Sequence, residues 1–324
     1  MVPVLLSLLA GALLILAAGQ NPITAYASLF NAGFSCHSGA GRCALMTSLQ
    51  FATPLILTGL SAAVALRGGF FSIGQAGQML FGAAAASLLA GRLFLPVGIH
   101  PVVALLGAAL FGGLWGWIPG ALKHFVGVNE ILSTLFLNPI AAVLVGLVRL
   151  PGVRPGARLL PLIPDTKLTA GFLLALSAAF LIYVLLWRMA RGLEMRTLGQ
   201  AARFALYGGM PRHAPAMITM ALSGALAGLA GGVEVLGVHY HFVTSFSAVN
   251  DYDGLIVAFA GGLHPAGVVL FSILLGGLRT GSLIGLQIRS GIPRELGGAL
   301  IALLLLFIAT NRFSRRDTGR SIAP

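Results

Sequence analysis

Nine apolar stretches of about twenty residues, each closed by a polar, proline or glycine break, decide what this chain can become. They run over 2–19, 44–66, 72–91, 98–122, 128–148, 168–187, 214–237, 266–286 and 296–311. Coiled as a helix, a run of that length matches the hydrocarbon thickness of a bilayer, because each residue advances the axis by about 1.5 Å. A tenth run falls in 239–262, interrupted by His239, His241, Asn250, Asp251 and Asp253. Such an interruption survives at membrane depth only where protein or a water-filled cavity covers the backbone. The expected fold is an all-α membrane protein of about ten transmembrane helices, a single transmembrane domain over 1–324.

Composition agrees: 57% of the residues are hydrophobic and 9% charged, far from the quarter or so that soluble domains carry. The net charge of +12 does not point to nucleic acid. The arginines sit at the ends of apolar runs, where the positive-inside bias places them, and not in one patch. No Lys or Arg precedes the first run, so it is expected to stay as a span and not to be a cleaved leader. With ten spans, Arg67, Lys123, the 188–213 segment and the tail with Arg312, Arg315, Arg316 and Arg320 face inward. The longer 149–167 loop, with Arg149, Arg154, Arg158 and Lys167, faces outward and obeys the bias less strictly. Cys36 and Cys43 share an outer Gly/Ser/His loop, where a disulfide and two free thiols both remain open.

The most concentrated basic break is 188–215, with Arg188, Arg191, Arg196, Arg203 and Arg212. Either a short helix on the membrane surface that docks a soluble partner or a solvated loop that sets topology fits it. Glycines recur every four residues at Gly224, Gly228 and Gly232, and again at Gly277, Gly281 and Gly285. Four-residue spacing keeps them on one helix face, and small residues there let backbones approach in lipid, so both stripes are read as helix packing. The chain also echoes itself. His100-Pro101 precedes Gly112-Gly113-Leu114 at the same distance that His264-Pro265 precedes Gly276-Gly277-Leu278. With ten spans the echoed helices cross in opposite directions, an inverted-topology repeat with halves at about 44–149 and 208–313; with nine the repeat is parallel.

The search for chemistry is mostly negative. There is no GxxxxGK(S/T) loop, no HExxH, no CxxC and no GxSxG, so no catalytic residues are assigned and the chain is not expected to be an enzyme. Intramembrane charge is sparse, and each instance is a candidate site. Glu234 and Arg279 fit an ion pair, structural or solute-facing. Asn250, Asp251 and Asp253 fit a helix start, as do Asn129 and Glu130. His239 and His241 point to opposite faces at that spacing, which argues against a metal. Ahead of the third run, Ser72, Gln75 and Gln78 lie among glycines, where amides and free N–H groups can hydrogen-bond a neutral polar solute or simply cap and pack a helix start.

These phrases carry a resemblance. Phe71 to Gln78, the run Val128-Asn129-Glu130-Ile131-Leu132-Ser133-Thr134-Leu135-Phe136-Leu137-Asn138, Ser223 to Gly231 with Glu234, Asp253 to Ala258, and His264-Pro265 with Gly277 and Arg279 appear in order along nearly the whole chain. In these the chain resembles the permease subunits of bacterial ATP-binding-cassette importers of the branched-chain amino acid, ribose and nucleoside group, most strongly the nucleoside and simple-sugar branch. The resemblance implies a pathway for a small polar solute, nucleoside or sugar, with a branched-chain amino acid as the alternative cargo. It assigns Ser72, Gln75, Gln78, Asn138, Glu234, Asn250, Asp253 and Arg279 to that pathway. The family's coupling segment falls on Phe204 to Met210, matching at Ala205, Tyr207 and Gly209. That implies an ATPase-docking role for Arg196, Arg203, Ala205, Tyr207, Gly209, Met210 and Arg212. It also implies a second permease subunit of the same or a similar chain, cytoplasmic ATPase subunits that hold ATP and Mg, an external solute-binding protein and a place in the bacterial inner membrane. This chain itself would bind no cofactor. The family's Asn and Glu in the third-run phrase are Ser72 and Ala76 here, so solute or gating is expected to differ there. The alternative function, an ion-coupled secondary transporter, needs a titratable relay in the core, for which the chain offers few groups.

Overall fold

The computed structural model describes residues 2–17, 19–36, 43–164, 166–209, 214–243, 245–289, 297–299 and 302–303. It is nearly all helical. The helices are α1 (Val2–Ala17), α2 (Pro22–Phe34), α3 (Ala44–Arg67), α4 (Gln75–Arg92), α5 (Ile99–Val126), α6 (Glu130–Gly146), α7 (Gly171–Arg188), α8 (Ala190–Gln200), α9 (Ala202–Tyr207), α10 (Ala214–Glu234), α11 (Ser245–Ala260) and α12 (Pro265–Thr280). Two π-helical segments, Val235–His239 and Gly281–Arg289, follow α10 and α12. Among the described residues five helices are long and apolar enough to cross a membrane, or six if the bent pair of α1 and α2 is one span.

Internal packing divides the chain into two compact units. One comprises 1–52, 164–166 and 273–324; the other comprises 53–163 and 167–272. In the first, α2 fills a stretch that the apolar runs leave unassigned between 2–19 and 44–66. Asn21 caps it by accepting from the Ile23 N–H at 3.0 Å, and Pro22 stands at its first position, where a missing N–H costs nothing. Its polar residues hid it from an apolar-run reading. Its Leu29 and Ala25 nevertheless bury against Ile15 and Leu286. A Cβ on Gly281 or Gly285 would overlap the carbonyl of Leu29 or Ser28, and one on Gly277 would strike the Phe34 ring. Cys36 and Cys43 are joined by a disulfide.

The second unit is built on α10. A Cβ on Gly228 would overlap the Ala108 carbonyl, and one on Gly224 the Gly112 carbonyl; one on Gly232 would stand 2.8 Å from Ala108 Cβ. The three glycines therefore lay one stripe of α10 on α5 at backbone distance. On a second side, Gly231 faces the Met79 carbonyl and Gly82 faces Gly228, bringing α4 equally close. The buried hydroxyls of Ser61 and Ser223 meet at 2.9 Å, tying α3 to α10.

Three sequence expectations change. The third run begins as helix at Gln75, three residues after its expected start. Helix α11 begins at Ser245, so Asn250, Asp251 and Asp253 lie inside it and do not open it; Asp253 is half-buried. The basic segment forms two helices, α8 and α9, instead of one.

Gly228→Val should cost about 2 kcal/mol or more, because backbone must move to admit the side chain. Gly146→Ala, whose methyl meets nothing within 4 Å, should leave stability unchanged or slightly raised. Thermal unfolding in detergent measures both, and equal midpoints would contradict the packing.

Candidate functional site

The turn after α3 sets up the site. Gly69, at φ +83°, ends that helix in the left-handed region, and Phe70 N–H donates back to the Ala65 carbonyl at 2.9 Å, the usual glycine stop. Residues 70–74 then run without helical structure before α4 begins. Gly74 at the N-cap offers no side chain, so α4 starts with free N–H groups. Helix α6 supplies the cap from outside. Asn138 Oδ1 accepts from Gly77 N–H at 2.9 Å, and Asn138 Nδ2 donates to the Ile73 carbonyl at 2.7 Å. Thr134 Oγ1 lies 3.3 Å from the Ile73 nitrogen and accepts from it. Irregular backbone inside a membrane protein needs this kind of satisfaction by neighbouring helices.

Around this knot the side chains are polar, buried and neutral. Ser72 and Gln75 are fully buried and Gln78 is 1% exposed. Gln75 Nε2 donates to the Ser72 carbonyl at 3.3 Å. The carbonyl oxygens of Gln75 and Gln78 are buried without hydrogen-bond partners, as is Trp115 Nε1. Buried polar atoms of that kind are rare and ask for an explanation. Trp115 reaches the site because residue 77 is glycine: a Cβ there would stand 2.9 Å from Trp115 Nε1 and 3.0 Å from Asn138 Oδ1. Its ring stacks on Phe81, centroids 4.0 Å apart and planes 16° from parallel. The sequence reading missed Trp115, since nothing in the Leu- and Gly-rich run of α5 distinguishes it.

Four of the expected pathway residues, Ser72, Gln75, Gln78 and Asn138, are therefore brought together. Glu234 is not with them. Helices α4 and α10 run side by side in the same direction, Gly82 against Gly228 and Ala86 near Gly232. Glu234 thus lies further along by roughly 15 Å of helix rise. There it pairs with His239 Nε2 at 3.3 Å. A single small solute cannot touch both levels at once. Arg279 sits in the last turn of α12, Asp253 is inside α11, and the Asn250 side chain lies outside the described residues. Asn129 caps α6 through Ile131 N–H at 2.9 Å, and Glu130 pairs with Lys123.

The basic segment presents a second surface. Phe204 is 70% and Tyr207 92% exposed; three residues apart, they share one face of α9. Ala205 between them is fully buried. Arg203 is exposed, Arg196 is partly covered, and Gly209 takes a left-handed φ of +75°. Met210 and Arg212 lie outside the described residues.

The family model described as branched-chain amino acid transport system / permease component matches residues 44–309. A guanosine ABC transporter permease protein, NupP of Bacillus subtilis, is 35% identical, over 99% of this chain and 95% of its own length. A nucleoside ABC transporter permease protein, NupB of Lactococcus lactis, is 28% identical over 95% of this chain and 89% of its own. A glucose ABC transporter permease protein, TsgB13 of Haloferax volcanii, is 29% identical over 97% and 87%.

Asn138→Leu should destabilise the protein by about 2–3 kcal/mol, because it strands the Gly77 N–H and the Ile73 carbonyl. Asn138→Asp, which keeps the acceptor but sets an oxygen against the Ile73 carbonyl, should fall between. Thermal unfolding with amide exchange at Gly77 checks the ranking.

Proposed function

The chain belongs to the branched-chain amino acid transport system permease family, and from that premise we propose that it is the transmembrane permease subunit of an ATP-binding-cassette importer for a nucleoside or simple sugar. The observation that carries the choice of solute is the α4 start. Its unpartnered groups are two amide acceptors and an indole donor beside a stacked aromatic pair. These suit a neutral solute with hydroxyls or ring N–H groups. An amino acid zwitterion would bring two charges, and Ser72, Gln75, Gln78, Thr134, Asn138 and Trp115 carry none. The named solutes of the relatives, guanosine, nucleosides and glucose, point the same way.

Transport in this reading is driven from outside the chain. An ATPase subunit holding ATP and Mg docks on the cytoplasmic segment 188–213. The aromatic pair on α9 and Arg203 form the contact, Ala205 seats the helix, and Gly209, Met210 and Arg212 continue it. Arg196 anchors the segment on the permease side. A second permease subunit completes the pathway, and an external binding protein delivers solute. We further propose ten spans in two inverted halves. Supporting this, both His-Pro pairs stand at helix starts, His100 in the first turn of α5 and His264 just before α12. The echoed glycines also both pack on backbone, Gly112 on α10 and Gly276 on the Ser48 carbonyl of α3. Asn250, Asp253, Glu234 and Arg279 are assigned to other levels of the same pathway.

Two outcomes test this. In proteoliposomes holding the permease, ATPase and binding protein, uptake should require ATP, and the double substitution Phe204→Ser with Tyr207→Ser should cut ATPase recovery and uptake together by about tenfold, as loss of two aromatic interface anchors would. Uptake driven by a proton gradient in vesicles without the ATPase would overturn the importer reading. Gln78→Leu should lower uptake about fivefold, the worth of one neutral hydrogen bond, with ATPase recovery unchanged.

A further inference from the structure

Trp187, the penultimate residue of α7, is where the end of α3, helix α8 and the start of α12 meet α7. The Arg67 guanidinium, at the last position of α3, stands 5.4 Å from the centre of its indole ring. The Arg196 guanidinium, from α8, stands at the same distance. The His264 ring, just before α12, meets it edge-on at 4.7 Å. Tyr183, one turn back on α7, stacks at 5.8 Å. Both arginines are within the range at which a ring face attracts a cation. Two like charges share one ring, so the arrangement holds only while each is fixed by something else.

Each is. Arg67 donates from Nε to the Leu263 carbonyl and from Nη2 to the Gly262 carbonyl, both at 3.1 Å. Those carbonyls belong to the stop of α11, where Gly262 and Leu263 are both left-handed, at φ +70° and +57°. Leu263 N–H closes the stop on the Ala258 carbonyl at 2.9 Å, and Gly262 N–H on the Phe259 carbonyl at 3.0 Å. A leucine in the left-handed region is held there by its surroundings, and Arg67 is one of the holders. Arg196 is fixed by α8 itself. Gly192, Arg196 and Gly199 recur at four and three residues, one helix face. A Cβ on Gly192 would overlap the Leu185 carbonyl of α7. A Cβ on Gly199 would overlap the Arg67 carbonyl and stand 2.6 Å from Gly69 N. Helix α8 is therefore pressed backbone to backbone on α7 and on the turn after α3. The buried Arg196 Nε has no hydrogen-bond partner, and its guanidinium stands over the Trp187 ring. Beyond α8, Ala205 N–H of α9 bonds the Ala201 carbonyl at 3.0 Å, and Ala201 N–H the Thr197 carbonyl at 2.8 Å. The exposed aromatic face of α9 is thus joined to the clamped face of α8 with one residue between.

We propose that the Trp187 ring is the transmission joint of the transporter: a positioning residue through which displacement of α8 and α9 is passed to the end of α3 and to the α11–α12 connection. This rests on the reading of the chain as an ATP-driven permease. The joint explains why the segment holding Arg196 is clamped and not floating. A push on Phe204 and Tyr207 that moved α8 alone would open backbone contacts at Gly192 and Gly199. Through Arg196, Trp187 and Arg67 the same push moves the α11 stop, and with it the start of α12. The turn after α3 that leads into the Ser72–Gln78 site is shared between both routes, since Gly69 and Gly199 are in contact.

The test uses the whole complex, permease with ATPase and binding protein, in proteoliposomes. Trp187→Leu removes the ring face but keeps apolar bulk; Trp187→Phe keeps a ring. ATPase recovery, basal ATP hydrolysis and solute taken up per ATP hydrolysed are read for each. With Trp187→Leu, recovery and basal hydrolysis should match the unsubstituted chain while uptake per ATP falls about tenfold, the size of a typical coupling between sites. Trp187→Phe should restore most of it. Arg67→Lys, which keeps the charge but loses the two-carbonyl grip, should lower uptake per ATP with recovery intact. Unchanged uptake per ATP in Trp187→Leu overturns the proposal. So does a parallel fall of recovery, hydrolysis and uptake, because the ring would then serve docking or folding. If the unsubstituted chain shows no ATP-driven uptake of nucleosides or sugars, the importer reading itself fails and takes the joint with it.

Discussion

Helix α10 touches α5 and α4 with its backbone, and the rest of the larger unit depends on that contact. In lipid the tails are as apolar as the helix surfaces, so no hydrophobic gain draws helices together. Close packing must supply the attraction, and it grows only when backbones approach. Gly224 and Gly228 set against Gly112 and Gly116, with Gly231 against the Met79 carbonyl and Gly82 against Gly228, bring three helices to that range. Dense packing of this kind deforms little. Helices α4, α5 and α10 are therefore expected to move as one body, with any conformational change taken up at their ends and connections.

The ends are where the polar chemistry gathers. At its start α4 is left uncapped by Gly74 and is completed by Asn138 of α6, so the shape of the buried turn over 70–74 is held by a different helix. The arrangement keeps Gln75 and Gln78 in place without using up their carbonyl oxygens. A helix that capped itself would have no need of Asn138, and α6 would then be free to slide. The link makes the buried amide groups sensitive to the position of α6, and Lys123 with Glu130 ties the start of α6 back to α5.

Much of this was legible before any coordinates. Apolar runs announce themselves because a bilayer leaves few choices, and the two glycine stripes are visible because four-residue spacing has one geometric meaning. Ser72, Gln75 and Gln78 were marked by amides and a hydroxyl at the start of an apolar run, whereas Asn138 joined them only through the family resemblance. What escaped was set by contacts between distant positions. Helix α2 drew no assignment because Asn21, Thr24, Ser28 and Asn31 dilute its apolar residues, yet its buried face is chosen by a neighbouring segment and not by lipid. Asn250, Asp251 and Asp253 looked like a helix start because polar residues at membrane depth invite that reading; α11 carries them internally. Trp187 drew no reading of its own, since nothing local tells that Arg67, Arg196 and His264 converge on it.

The far end of α10 is held by contacts of a different kind. After Glu234 the chain leaves α geometry, and Tyr240, at φ +58°, closes the π turn by donating its N–H to the Val235 carbonyl at 2.9 Å. Segment 153–159 holds that turn from outside: Val153 N–H bonds the Tyr240 carbonyl and Leu159 N–H the Leu236 carbonyl, at 2.9 and 3.0 Å. Arg158 lies over the Tyr240 ring at 4.5 Å, and Glu234 is paired to His239 within the turn. A π turn in this setting is a place where a helix can bend without losing its hydrogen bonds altogether. Near its other end α10 meets the α3 turn, with Gly68 against Thr219, and so reaches the Gly199 contact of α8. A body too dense to bend internally, pinned at the π turn and gripped beside Gly199, has rotation about the pinned end as its lowest-cost response to force. In the importer reading proposed above, such a rotation displaces the Ser72–Gln78 end most and the Glu234 end least, so the amide cluster is the end that would move and the acid the end that would stay.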